Sequence, residues 1–168
     1  MQYWDDVLFP PFIATIRGEI YGVITQDELD EECFNLARRA IAAFKFPKIS
    51  TDYETFYAIR EEDTLVEVDE NTEGAIPHGY FVNDLGYKEL EVLIAWMKVY
   101  WVEQLLSNAD NFEDIYTDSN IKTYSRANAV DKNTKLMDQY RTYARDLETR
   151  YSRVNTSRGA SIGDINNE

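Results

Sequence analysis

Between Thr25 and Pro47 the apolar residues fall three or four positions apart, at Leu29, Cys33, Leu36, Ala37, Ala40, Ile41 and Phe44. That period predicts a helix with one buried face. Thr25-Gln26-Asp27-Glu28 has the form of a capping box, in which the Thr hydroxyl and the Glu carboxylate each engage a backbone N–H left free by the first turn. Asp27, Glu28, Asp30, Glu31 and Glu32 crowd the opening turns, where the helix dipole favours them, and Arg38, Arg39 and Lys45 gather toward the other end. Pro47 stops the helix. Upstream, VLFPPFIATIRGEIYGV predicts a short helix after Pro11 that ends near Gly18. Trp4, Phe9 and Phe12 there read as an apolar arm that packs on a neighbouring surface.

The pattern changes between 49 and 83. TFYAIREED and TLVEVDEN alternate and carry β-branched residues, with acidic turn-formers between them. They predict a strand or hairpin insertion around 56–70. Glu73-Gly74 and Pro77-His78-Gly79 read as loop. Placed between two strong helices, such an insertion projects from a bundle and leaves its core alone.

The next helix starts near Asp84 to Gly86 and ends around Ser107-Asn108, and it raises a question. Leu90, Leu93, Ile94, Met97, Trp101 and Leu105 make one apolar face, while Val92, Trp96, Val99 and Tyr100 make a second. A surface helix confines its apolar residues to one stripe. This one asks for partners on nearly all sides. Lys98 would lie mid-span in a membrane, and no uncharged run reaches the roughly 18 residues that spanning needs. Two solutions remain: the central helix of a bundle, or a helix partly covered by another copy of the chain.

A polar connection follows, with an extended piece expected at Ile121–Tyr124. The last helix is expected from Ala127 to Val154, with a seam of Val130, Met137, Tyr140, Ala144, Leu147, Tyr151 and Val154. The remaining residues, 155–168, are small and polar and read as a flexible tail. The expected fold is therefore mainly α. It is a small bundle of three to four helices in one domain, 1–154, with an extended or β-hairpin insertion at about 49–83. The N-terminus lacks the basic and apolar regions of a secretory signal.

Charge narrows the partners. The chain of 168 residues has a net charge of −14, but residues 1–120 hold 8 basic and 25 acidic side chains, whereas 121–168 hold 9 basic and 6 acidic. A surface of net −17 repels nucleic acid, which excludes an ordinary DNA-binding groove. It leaves room for an acidic mimic of DNA, or for a wall past which DNA slides. Twelve Tyr, eight Phe and three Trp supply side chains with large apolar faces, suited to a core or to a contact surface.

Reactive groups are few. Cys33 and His78 are the only residues of their types, so a nucleophile–base pair would have to use both. Cys33 falls on the apolar face of its helix, where a free cysteine behaves as a small hydrophobe. A Mg²⁺-dependent nucleotide hydrolase needs a Glu-x-x-Glu pair and a second carboxylate pair on a facing helix. Glu28 and Glu31 meet the first requirement; Glu91 with Ile94 fails the second. Helix capping and a solvated acidic face account for these carboxylates. No phosphate-cradling glycine spacing occurs. Arg141, Arg145, Arg150, Arg153 and Arg158 alternate with acidic residues, and intrahelical pairs such as Arg141/Asp138 and Arg145/Glu148 are their simplest account; the acidic surface of a partner is another. No catalytic residue, metal ligand or cofactor is expected.

The order of features carries a resemblance. TQDELDEECFNLARRAIAAFKFPK leads into a polar insertion, then FVNDLGYKELEVLIAWMKVYWVEQLL, SNADNFEDIYTDSNIKTYSRAN and a closing helix ending RYSRV. Over roughly residues 25–155 this resembles the head-to-tail connector (adaptor, or neck ring) proteins of tailed bacteriophages, most like those of crAss-like phages. The longer polar segment at 49–83 departs from many members.

The resemblance implies a non-enzymatic virion protein. It implies a homo-oligomeric ring, commonly a dodecamer, at the neck beneath the portal, assembled in the host cytoplasm. Such a ring extends the DNA channel, joins capsid to tail and binds the portal protein and a tail or neck protein. DNA passes nearby without specific binding, and no membrane is involved. Trp4, Phe12, Trp96, Tyr100 and Tyr151 become candidate subunit or partner contacts. So do Arg141, Arg145, Arg158 and Ile162, the last two in the tail that would order on a neighbouring ring. The rival function is an acidic DNA mimic, with a Mg-dependent nucleotide hydrolase behind it.

Overall fold

The computed structural model describes residues 1–16, 25–61, 64–109 and 122–153; within these, the side chains of 108–109, 122–130 and 132–133 are excepted. In chain order the elements are β1 (Gln2–Tyr3), α1 (Trp4–Val7), α2 (Phe9–Ile16), α3 (Gln26–Ala43), β2 (Tyr53–Glu61), β3 (Thr64–Val68), β4 (Ile76–Phe81), α4 (Tyr87–Ala109) and α5 (Lys122–Arg153).

This is a mixed α/β fold, not the mainly α bundle expected from the sequence. Five helices accompany a four-stranded antiparallel sheet of order β1-β4-β2-β3 among the described residues. The hairpin expected at 56–70 exists as β2 and β3, with Tyr57 opposite Val68 and Glu61 opposite Thr64. The segment read as loop, Pro77-His78-Gly79, is instead the middle of β4, paired to β2 from Ala58↔Ile76 to Tyr53↔Phe81. Proline fits there because β1 pairs only with Tyr80 and Phe81, so β4 has an open side at Pro77. Glycine fits because a Cβ on Gly79 would stand 2.7 Å from the Trp4 ring. Of the two residues that usually punctuate a chain, Gly79 is imposed by Trp4 and Pro77 is tolerated at an open edge.

Nor does the sheet project. Trp4, fully buried, packs its ring against Tyr53, Phe81 and Phe34, with centroids 5.0, 5.6 and 5.5 Å away. One indole thus joins β2, β4 and α3. Arg60 on β2 adds an ion pair with buried Asp30 on α3, whose carboxylate also accepts a hydrogen bond from Gln26.

α3 keeps its expected start. Thr25 Oγ1 accepts from the Glu28 N–H, and the Thr25 N–H donates to the Glu28 carboxylate at 2.8 Å. The Thr25 N–H and the Thr25 hydroxyl, both donating to the Glu28 carboxylate, hold it below the usual range. The buried face is the expected one, with Cys33, Leu36, Ala37 and Ala40 fully covered. α3 packs on α4 and β4, and α4 in turn is flanked by α2, α3 and α5.

That flanking resolves the two-faced helix. Leu93 and Met97 of the first face are fully buried, and so is Val99 of the second. Trp96 and Trp101 retain only 8% and 7% exposure. A single subunit already covers both tryptophan-bearing sides, so the apolar faces of this helix do not by themselves require a second copy. α5 begins at Lys122, which makes Lys122–Tyr124 helical where extended chain was expected. Its seam is laid on α4 through Ala144 and Tyr151. The expected tail, 155–168, lies outside the described residues.

Candidate interaction surface

Four side chains proposed as contacts are interior. Trp4 and Phe12 are fully buried, and Trp96 and Tyr151 nearly so. Phe12 meets Trp101 edge to face at 6.5 Å. Tyr151 is a strut: its hydroxyl donates to Glu89 at 2.6 Å and accepts the Lys48 N–H at 2.9 Å. Burial, together with the Glu89 bond, pushes that hydroxyl up to about 12. Their hydrophobicity and periodicity reflect the subunit core, so they offer no partner a surface. Tyr100 is half-buried under the Arg39 guanidinium, 4.1 Å from its ring centroid, and Arg39 also pairs with Glu103. Arg158 and Ile162 fall outside the described residues.

The arginines of α5 differ from expectation in detail. Glu148 is buried and accepts the Lys45 N–H at 2.7 Å, which takes it away from Arg145. Among the described residues Arg141, Arg145 and Arg150 form no ion pair with a neighbour, although Asp131 and Lys135 do. Arg145 and Arg150 are exposed and Arg141 is half-buried.

The candidate reactive groups Cys33 and His78 are both interior. Cys33 is fully buried, and burial, with the nearby carboxylates of Asp30, Glu32 and Asp5, pushes its thiol well above the usual range. A thiol held neutral is a poor nucleophile. His78 is buried at the sheet, with Nδ1 2.9 Å from Asp5 Oδ1 and its ring stacked on Phe56 at 5.6 Å. Glu28 serves the cap. No group of three His, Cys, Asp or Glu side chains is placed to hold a metal ion among the described residues. No helix among them is long and apolar enough to cross a membrane.

What the sequence did not reveal is a ring cluster on the sheet. Register sets Tyr3 beside Tyr80, and β2 brings Phe56 to both. Centroids of Tyr3 lie 5.9 Å from Phe56 and 5.7 Å from Tyr80, and Phe56 lies 6.3 Å from Tyr80. Tyr3 is 42% exposed. Exposed Glu54 accepts the Tyr80 hydroxyl, which raises the Tyr80 pKa, and exposed Glu67 faces the same side through its pairing with Ala58. The signal was the period-two alternation of Glu54, Phe56 and Ala58, but it needed the unrecognised strands β1 and β4 to become a surface.

A second feature is a groove of about 290 Å3 between α2, α4 and α5, rimmed by exposed Tyr87 and Tyr143. A broader polar cleft of about 740 Å3 runs along the junction of α3 and the sheet, between Arg38 and Tyr57. No family model, curated protein or solved structure matches the chain.

Proposed function

We propose that this chain is a non-enzymatic structural adaptor, a head-to-tail connector at the neck of a tailed bacteriophage, joining portal to tail. The observation that carries the reading is the aromatic–acidic patch on the sheet, in which Tyr3 and Glu54 are exposed and Phe56 and Tyr80 half-buried. Rings with apolar faces and flanking carboxylates suit a protein contact whose partner contributes arginine or lysine. Copies would associate through such outer features, since the central helix is already covered. The surplus of carboxylates in residues 1–120 suits a channel wall that does not hold DNA.

Native mass spectrometry of the purified protein, alone and with its portal, tests the reading. The expected result is a ring in at least one of the two samples. Tyr3→Ser with Glu54→Lys should weaken that association at least tenfold without unfolding the subunit. A single copy in both samples would refute the adaptor.

The self-sufficient burial of α4 favours a second reading as well. An acidic DNA mimic acts as a monomer or dimer and binds a DNA-handling enzyme with steep salt dependence. A single copy that also inhibits such an enzyme would select it.

A further inference from the structure

β3 is the end strand of the sheet: it pairs with β2 along one side, and no described strand lies along the other. Which of its backbone groups are left over follows from the ladder. The Val82 N–H donates to the Asp52 carbonyl at 2.9 Å, one step beyond the Tyr53↔Phe81 pair. Bonded and non-bonded pairs alternate in an antiparallel ladder, so Glu54, Phe56 and Ala58 bond toward β4. Tyr57, Ile59 and Glu61 then bond toward β3, where Val68, Val66 and Thr64 stand opposite them. Leu65 and Glu67 are left with the N–H and C=O of each aimed outward.

Unpaired groups of this kind are a template for another strand, and sheets ordinarily blunt such an edge with proline, lysine or a bulge. β3 has no proline or lysine, and its pairs run from Tyr57↔Val68 to Glu61↔Thr64 without a skipped residue. Val66, between the two outward-facing residues, is 38% exposed. Charge decides what the edge admits. Glu61, Glu67, Asp69 and Glu70 are all exposed around it. The one basic side chain on β2 and β3, Arg60, is taken by Asp30. A second copy would bring the same carboxylates with it, and like charges across strands are destabilising. A strand with lysine or arginine at alternate positions reverses that sign, and an apolar residue between them meets Val66.

We infer that the outer edge of β3 is a docking site for an extended basic segment of another protein, added as a further strand on the backbone of Leu65 and Glu67. Main-chain bonds hold the segment, and the carboxylates of Glu67 and its neighbours select a basic one. The inference goes beyond the adaptor reading and does not rest on it, since ring formation tests that reading separately.

The probe is a synthetic octapeptide of alternating lysine and valine, added in large excess to the full chain. Salt at about 0.15 M confines Coulomb attraction to roughly 8 Å. Amide hydrogen exchange is followed residue by residue by NMR. In the free protein the Leu65 and Glu67 amides should exchange at least tenfold faster than that of Val66, whose N–H belongs to the ladder. The peptide should slow both at least tenfold. The same peptide methylated on every backbone nitrogen keeps its charge but cannot pair as a strand, so it should protect neither. Glu67→Lys leaves the ladder in place and should weaken binding of the unmethylated peptide at least threefold. Leu65 and Glu67 left unprotected, equal protection by the methylated peptide, or unchanged affinity in Glu67→Lys would each overturn the proposal. So would protection that appears without peptide as protein concentration rises, because the edge would then belong to a second copy.

Discussion

Trp4→Ala is expected to destabilise the protein by about 3–5 kcal/mol, the range for deleting a fully buried large aromatic. The indole is the joint between sheet and helices, touching Tyr53, Phe81 and Phe34 at once. Its partner experiment is Gly79→Ala. The added methyl would meet three ring carbons at 2.7–2.8 Å, closer than real contacts allow. Neither the ring, packed on three aromatic neighbours, nor β4, paired on β2, moves freely, so overpacking should cost about 1–3 kcal/mol. In a Trp4→Ala background the same methyl enters vacated space. The two losses should therefore be strongly non-additive, with a coupling of about 1–3 kcal/mol in urea unfolding. Additive losses would mean that Trp4 does not lie over Gly79.

Arg60→Met is expected to cost about 2–3 kcal/mol, measured the same way. Breaking a buried pair by removing one partner leaves the other charge uncompensated, which costs roughly 3–5 kcal/mol when both are sequestered. Here Asp30 has a side chain only 5% exposed, but Arg60 is 30% exposed and Gln26 still donates to the carboxylate, so solvent screening and the retained bond discount the loss. Asp30→Asn in the Arg60→Met background should restore part of the stability, because the neutral amide needs no counter-charge. A loss as large in the double variant as in Arg60→Met alone would show that the guanidinium acts by packing and not by charge.

These two residues also mark where the sequence could and could not be read. The three long helices are legible because each carries its period internally: the capping box at Thr25 and the spacing from Leu29 to Phe44 fix α3 without reference to anything else, whereas α1 has no such signal and α2 begins at Phe9, ahead of the start expected after Pro11. α4 and α5 were placed to within a few residues for the same reason. The sheet was not legible beyond its hairpin, because β1 is two residues long and β4 is built on Pro77 and Gly79, types that ordinarily end strands. Gly79 is required by Trp4, 75 positions away, and no local pattern encodes that. The same long-range contact overturned the expected bundle, since it seats residues 49–83 on α3 instead of leaving them as a projection.

The surface was read less well than the core. In the sequence the large aromatic residues read as contacts, whereas Trp4, Phe12, Trp96 and Tyr151 are interior. Composition cannot separate a core ring from an interface ring, because both obey the same hydrophobic effect. The aromatic patch instead lies on Tyr3, Phe56 and Tyr80, whose neighbourhood exists only once three strands are paired.

The central claim is that one subunit encloses its own apolar rod and meets partners through its outer surface. All three tryptophans of the chain, Trp4, Trp96 and Trp101, report on it, because each is 8% exposed or less. The most direct measurement is acrylamide quenching of tryptophan emission across a dilution series, with mass read in parallel by native mass spectrometry. Quenching should stay weak and unchanged down to concentrations at which only single copies remain. Emission that becomes strongly quenchable as assemblies dissociate would contradict the account, because the rod would then owe its cover to other copies.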